Sequence, residues 1–196
     1  YASLDANSTG AHNTGIGQSA LGANTTASYN TAVGSEALLV SSTGQRNAAV
    51  GYQALTAATT GSDNVTMGYL AGTAVTTGIE NTLIGYYAGA SSTTTNYNTA
   101  VGSGALQNNT AAGNVAVGRA ALYANTTGVD NTAVGFAALD ANTTGTDNTA
   151  IGDNALGVNT TGGDNVAIGS GALDANTTAA NNTTVGAESM SANTTG

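Results

Sequence analysis

The sequence predicts an all-β fold, a repetitive parallel β-solenoid with 17-residue coils, on three observations. An asparagine recurs at Asn13, Asn30, Asn47, Asn64, Asn81, Asn98, Asn114, Asn131, Asn148, Asn165 and Asn182, always 17 residues apart except for the 16 from Asn98 to Asn114. A glycine stands four residues after each of them, from Gly17 to Gly186. The residue before that glycine is always apolar, as in Ile16, Val33, Val101 and Ile168. A short period carried through a whole chain is the signature of a solenoid or fibre, in which each repeat packs on its neighbours.

Numbered from its asparagine, each repeat opens as a strand. Position 2 is mostly Thr or Val, position 3 mostly Ala and position 4 a Val, Ile or Met, with Gly at position 5. β-Branched residues closed by an obligatory glycine read as a short strand ending in a turn. Side chains alternate along a strand, so positions 3 and 4 face opposite sides. Positions 8 and 9 read Ala-Leu in most copies, and positions 12 to 15 read Asn-Thr-Thr-Gly, as in Asn142–Gly145. Asn and Gly mark a turn there. The Ala-Leu segment is expected to be a second short strand or a 3₁₀ turn, since a helix shorter than about 12 residues is weak on its own.

Stacked coils of this kind hydrogen-bond to one another at about 4.8 Å. The position-1 asparagines, Asn114, Asn131, Asn148 and Asn165 among them, are then expected to form a ladder of side-chain amides. The glycine column, including Gly118, Gly135, Gly152 and Gly169, fits a corner that needs positive φ or close backbone approach. The core is thin: one Val or Ile, one Leu and a few alanines per coil, little to bury for 17 ordered residues. Association of several chains would remove more apolar surface from water, so a homo-oligomer is expected.

Composition agrees with an ordered repeat. Charged residues make up 7% and apolar residues 40%, against the high charge and low hydrophobicity of disordered chains. The net charge of -9, with only Arg46 and Arg119 as cations, leaves no basic face for nucleic acid or anionic membranes. No apolar run approaches the roughly 20 residues needed to span a bilayer, so membrane insertion is not expected. The absence of cysteine is compatible with an extracellular fibre without requiring one.

The repeats Asn114–Gly118 (Asn-Val-Ala-Val-Gly) and Asn165–Gly169 (Asn-Val-Ala-Ile-Gly) resemble head repeats of trimeric autotransporter (YadA-like) adhesins. The longer form from Asn131 to Gly145 is similar to repeats in tail-fibre proteins of phages and other viruses. The resemblance covers essentially the whole chain. It implies a homotrimer of left-handed parallel β-rolls, an extracellular or virion-surface shaft that binds a host or a surface. Residues 1–196 then form a single repeat domain of about eleven coils. Tyr1–Leu4 match positions 6 to 9 and Asn193–Gly196 match positions 12 to 15, so both ends are expected to be uncapped, as in a slice of a longer fibre or a unit that joins end to end.

Departures from the repeat supply the candidate sites. Gly72 and Gly89 replace the leucine in two successive copies, and one residue is missing between Asn98 and Asn114. A kink or narrowing is expected in that stretch, with a recognition patch as the functional alternative. Tyr52, Tyr69 and Tyr86 occupy position 6 in consecutive coils, with Tyr87 beside the last. Such a stripe packs against a neighbouring chain or, as a glycan contact, stacks on sugar rings. Asp130, Asp147 and Asp164 stand at position 17 of successive coils. Like charges about 4.8 Å apart repel unless solvated or bridged. They read as solvated turn residues, with a weak Ca²⁺ column as the alternative. The Asn-Thr-Thr sequons come with the repeat, and His12 reads as a surface residue.

No catalytic constellation is present, and neither an enzyme nor a cofactor is expected. The functional expectation is the structural shaft of an extracellular fibre or filament, a viral tail fibre or surface adhesin, whose partners are copies of itself and a surface receptor or glycan. The alternative from another class is an ice-binding solenoid presenting Thr126, Thr143, Thr160 and Thr177 as a hydroxyl array.

Overall fold

The computed structural model describes residues 2–194, so Tyr1, Thr195 and Gly196 of the end matches lie outside the described residues. The chain divides into two compact units, Tyr1–Asn98 and Thr99–Gly196. The first carries β1 (Thr14–Ile16), β2 (Thr31–Val33), β3 (Ala48–Val50), β4 (Val65–Met67) and β5 (Thr82–Ile84). The second carries β6 (Thr99–Val101), β7 (Val115–Val117), β8 (Thr132–Val134), β9 (Thr149–Ile151), β10 (Val166–Ile168) and β11 (Thr183–Val185). Within each unit consecutive strands are parallel neighbours in strict register, Thr14 opposite Thr31 and Thr132 opposite Thr149. Among the described residues there is no helix. The predicted parallel β-solenoid with coils of about 17 residues is therefore the fold.

Each strand is three residues long because both its ends are fixed. The asparagine before it turns its side chain inward, and the glycine after it adopts φ between 126° and 144°. Only glycine reaches that region without strain. A Cβ on Gly34, Gly118 or Gly135 would also run into the glycine carbonyl of the next coil. At Gly186 the nearest atom to such a Cβ is 3.7 Å away, and the positive φ of 135° alone still calls for glycine.

The Ala-Leu segment is neither a second strand nor a 3₁₀ turn. Three overlapping turns carry the chain around instead. In the first full coil Ala20 N–H donates to Gly17 O (3.3 Å), Gly22 N–H to Ser19 O (3.0 Å) and Asn24 N–H to Leu21 O (3.1 Å). The first two turns have positive φ at their third residue, as type II turns require. In the second turn that residue is Leu in most coils, for example Leu21 at φ 52° and Leu139 at φ 52°. Left-handed backbone costs a non-glycine residue about 1–2 kcal/mol. Complete burial of a leucine returns about 1.5–3 kcal/mol, and these leucines are 0% exposed. Burial therefore outweighs the strain.

One expectation about the core is corrected. Position 3 points inward and position 4 outward, so the Val and Ile column is not in the core. Ala32, Ala100, Ala133 and Ala150 are 0% exposed, whereas Ile16 is 59% and Val185 70% exposed. The interior of a coil comprises the alanines of positions 3 and 8, the leucine of position 9 and two asparagines, at positions 1 and 12. Within each unit the position-1 asparagines form a ladder: Asn148 Nδ2 donates to Asn131 Oδ1 (3.0 Å) and to Gly162 O (2.9 Å), and Asn148 Oδ1 accepts from Asn165 N (3.1 Å) and Nδ2 (3.0 Å). A second ladder at position 12 joins Asn142 to Asn125 (2.8 Å) and Asn176 to Asn159 (3.0 Å). It was read from the sequence only as a turn. In the first unit Asn24 Oδ1 has no partner, because the next rung is Ser41.

The irregular repeats are absorbed inside the coil. Leu83 stands at position 3 in place of alanine and occupies the space vacated at Gly72 and Gly89. A Cβ on Gly89 would lie 2.6 Å from Leu83 Cδ2, and one on Gly72 would lie 2.9 Å from Leu83 Cδ1. In the 16-residue repeat the missing residue falls in the turn after Asn109. Its Nδ2 reaches Ala111 O two residues on (2.7 Å) instead of three, while its Oδ1 still accepts from Asn125 (2.7 Å).

Two substitutions follow. Asn148→Ala leaves buried donors and acceptors unmatched and is expected to cost about 1–3 kcal/mol in urea denaturation at fixed protein concentration. Gly135→Ala adds a backbone collision to an unfavourable φ and should lower stability by at least the about 1–3 kcal/mol of the strain alone, read as a loss of melting temperature.

Candidate functional site

The outward face of the sheet is the largest departure from an ordinary soluble surface. Positions 2 and 4 both point away from the core, giving two columns per unit. In the first unit Thr14, Thr31, Ala48, Val65 and Thr82 run beside Ile16, Val33, Val50, Met67 and Ile84. In the second, Thr99, Val115, Thr132, Thr149, Val166 and Thr183 run beside Val101, Val117, Val134, Ile151, Ile168 and Val185. Every strand from β2 to β11 buries its middle residue between two that are partly or fully exposed. The sheet thus places its larger apolar side chain outside and the smaller alanine inside. Within each unit the position-4 side chains thus form an apolar column on the outside of the sheet, beside a position-2 column that is mostly threonine.

Two columns flank this face. After the corner glycine, position 6 carries Tyr52, Tyr69 and Tyr86, and these rings stack on one another. Centroids are 5.3 Å apart for Tyr52–Tyr69 and 5.5 Å for Tyr69–Tyr86, with interplanar angles of 16° and 12°. Tyr87 meets Tyr86 edge-on at 4.6 Å. Burial pushes the Tyr87 hydroxyl above its ordinary range, and the neighbouring Tyr86 and Tyr69 add to the shift. Tyr69 has a ring against both of its faces and offers no open platform for a sugar, whereas Tyr52 and Tyr86 each stand at an end of the stack. In the second unit position 6 holds Arg119 over the Phe136 ring at 5.3 Å, a cation–π contact.

Position 17 precedes the strand and is left-handed throughout. His12 (φ 59°), Asp63 (61°), Asp130 (56°), Asp147 (57°), Asp164 (57°) and Asn181 (62°) all adopt it. Asp, Asn and His are the non-glycine residues most tolerant of that conformation. Backbone conformation favours Asp there without requiring it, since Tyr29, Arg46, Glu80 and Tyr97 adopt the same conformation in other coils, and Asp130, Asp147 and Asp164 are exposed. Among the described residues no group of three or more His, Cys, Asp or Glu side chains is placed to hold a metal ion. In the first unit the same column pairs Arg46 with Asp63 (Nε–Oδ1 2.6 Å, Nη2–Oδ2 2.8 Å), which holds the Asp63 carboxyl below its ordinary range. Both side chains are exposed, so the pair adds little stability. His12 stacks on Tyr29 at 5.0 Å.

Three of the four hydroxyls in the Thr array of position 13 are engaged with the backbone. Thr126, Thr143 and Thr160 each donate Oγ1 to the position-13 carbonyl of the next coil, at 2.8, 3.0 and 3.0 Å. Five of the repeated Asn-Thr-Thr sequons are closed as well: Asn24, Asn125, Asn142, Asn159 and Asn176 are 0% exposed. An open groove lined by Asp140, Asn154, Gly157, Val158 and Asp174 lies where Gly157 leaves a side chain out of the position-10 column. Burial pushes the Asp140 carboxyl up, against the backbone N–H groups of Ala141 and Asp140 that pull it down.

No protein-family model, curated protein or solved structure matches this chain.

A raised carboxyl in the folded state contributes stability that is present below the unfolded value and is lost as pH rises through the folded one. Asp140→Asn should therefore raise the melting temperature at about pH 7 and gain nothing at about pH 3, below the ordinary carboxylate range. Parallel thermal melts of the two proteins at both pH values check this.

Proposed function

We propose that this chain is the structural shaft of a homo-oligomeric fibre, its outward sheet face packed against copies of itself. The observation that carries the reading is the inversion of side-chain size across the sheet: β-branched aliphatics outside, alanine inside. Within each unit the two outward columns stand at the same level in successive coils and carry no charged residue, and an identical face is their natural complement. Oligomer interfaces are rich in apolar area.

Three chains, left-handed β-rolls and an extracellular or virion-surface location come from the resemblance of the repeats to trimeric adhesin heads and viral tail fibres. That resemblance also supplies attachment to a host or a surface as the purpose of the shaft. The ice-binding alternative is less well supported, because the hydroxyls of Thr126, Thr143 and Thr160 are spent on the backbone. The outward position-2 threonines are interrupted by Ala48, Val65, Val115 and Val166.

Light scattering on the purified chain is expected to give three chain masses. The double substitution Val134→Asp and Ile151→Asp, which places carboxylates on this face without touching the core, is expected to give single chains with unchanged far-ultraviolet circular dichroism. A wild-type protein that is monomeric at all accessible concentrations overturns the proposal, and thermal hysteresis in that monomer would then favour ice binding.

A further inference from the structure

We propose that Tyr52, Tyr69, Tyr86 and Tyr87 form an oxidative cross-linking site, at which a peroxidase-type oxidant joins tyrosines of adjacent coils by a carbon–carbon bond. The inference stands on geometry within the first unit and does not depend on the fibre reading. Register places one phenol per coil, at the strand-to-strand repeat of about 4.8 Å. The rings stack at 5.3 and 5.5 Å, with the fourth ring 4.6 Å from Tyr86. They are also open to a diffusing oxidant: Tyr52, Tyr69 and Tyr86 are 43%, 45% and 56% exposed. A tyrosyl radical formed on any of them has a second phenol already in contact.

The location of the stripe gives the bond a purpose. It lies over three coils whose interior departs from the repeat. There the position-12 asparagine is replaced by Ala58, Val75 and Ser92, and two of the three coils lack the core leucine, at Gly72 and Gly89. The chain has no cysteine, so a disulfide cannot bridge these coils. Tyrosine coupling is a covalent staple the sequence can supply at that point.

The chemistry balances. Each of two tyrosines gives up its phenolic proton and one electron. The two radicals join at ring carbons ortho to the hydroxyls, and the displaced ortho hydrogens return to the phenol oxygens as the rings regain aromaticity. Two hydrogens are lost in all, and one hydrogen peroxide takes them up as two waters.

The test uses horseradish-type peroxidase with hydrogen peroxide on the folded chain, followed by unfolding and glutamyl cleavage. Cutting after Glu36, Glu80 and Glu188 separates residues 37–80, with Tyr52 and Tyr69, from residues 81–188, with Tyr86, Tyr87, Tyr97 and Tyr123. The expected result is dityrosine fluorescence, and mass spectra of single-chain material in which the two fragments are joined through Tyr69. Tyr69→Phe keeps the ring and should abolish the joining, whereas Tyr97→Phe should leave it unchanged. Tyr29 and Tyr97 are the controls for accessibility alone, since they are 57% and 56% exposed but have no tyrosine stacked on them. Mapped cross-links that follow exposure, include Tyr29 and Tyr97 equally, or occur only between chains would overturn the proposal. The wild-type map decides the matter even if a variant folds poorly.

Discussion

Hydrogen bonds that run along the stack hold these coils together, and the amide ladders are the part on which the rest depends. A coil interior built from two alanines and one leucine buries too little apolar surface to order 17 residues by itself. The two asparagines fill the remaining space, and in a dry interior each amide has to be matched by another. Asn131, Asn148 and Asn165 meet that demand only when the same side chain stands at the same level in each coil. The strict period is therefore a chemical requirement, and a slip of one residue would break every rung at once. The single shorter repeat survives because its deletion falls beyond Asn109, in a turn that closes one residue earlier.

The same economy explains the strained backbone. A 17-residue coil with one three-residue strand turns mostly through residues at positive φ, at positions 5, 7, 9 and 17. Position 5 is glycine because the next coil leaves no room for a Cβ. Position 9 is leucine because a buried side chain is worth more than the strain it brings. Position 17 is often Asp, Asn or His because those residues tolerate the conformation while remaining in water. An acidic column with the spacing of an ion site is thus favoured by backbone geometry.

Compensation between layers is visible in the third to fifth coils. Leu83 refills the space left by Gly72 and Gly89, and the tyrosine stack lies outside the same coils whose inner position-12 ladder is missing. Size is inverted across the sheet, with Val and Ile outside and Ala inside, and this asymmetry makes the face, rather than any pocket, the centre of the functional reading.

The sequence by itself determined the solenoid, its period, its strands and its glycine corners, because each is a one-dimensional pattern: an obligatory Gly, β-branched residues before it and an asparagine at constant spacing. It also placed the asparagine ladder, since identical residues at identical levels must stack. What it left undecided was which of two alternating faces was inside. Positions 3 and 4 are both apolar, and only the space within the closed coil, wide enough for Ala32 or Ala133 beside a leucine, sends Val33 and Val134 outward. The turns of positions 7 to 12 were equally hidden, because leucine in a left-handed conformation contradicts local preference and is held there by burial alone. The tyrosines illustrate the same limit: their spacing was legible, but that their rings face one another was decided by the register of neighbouring coils.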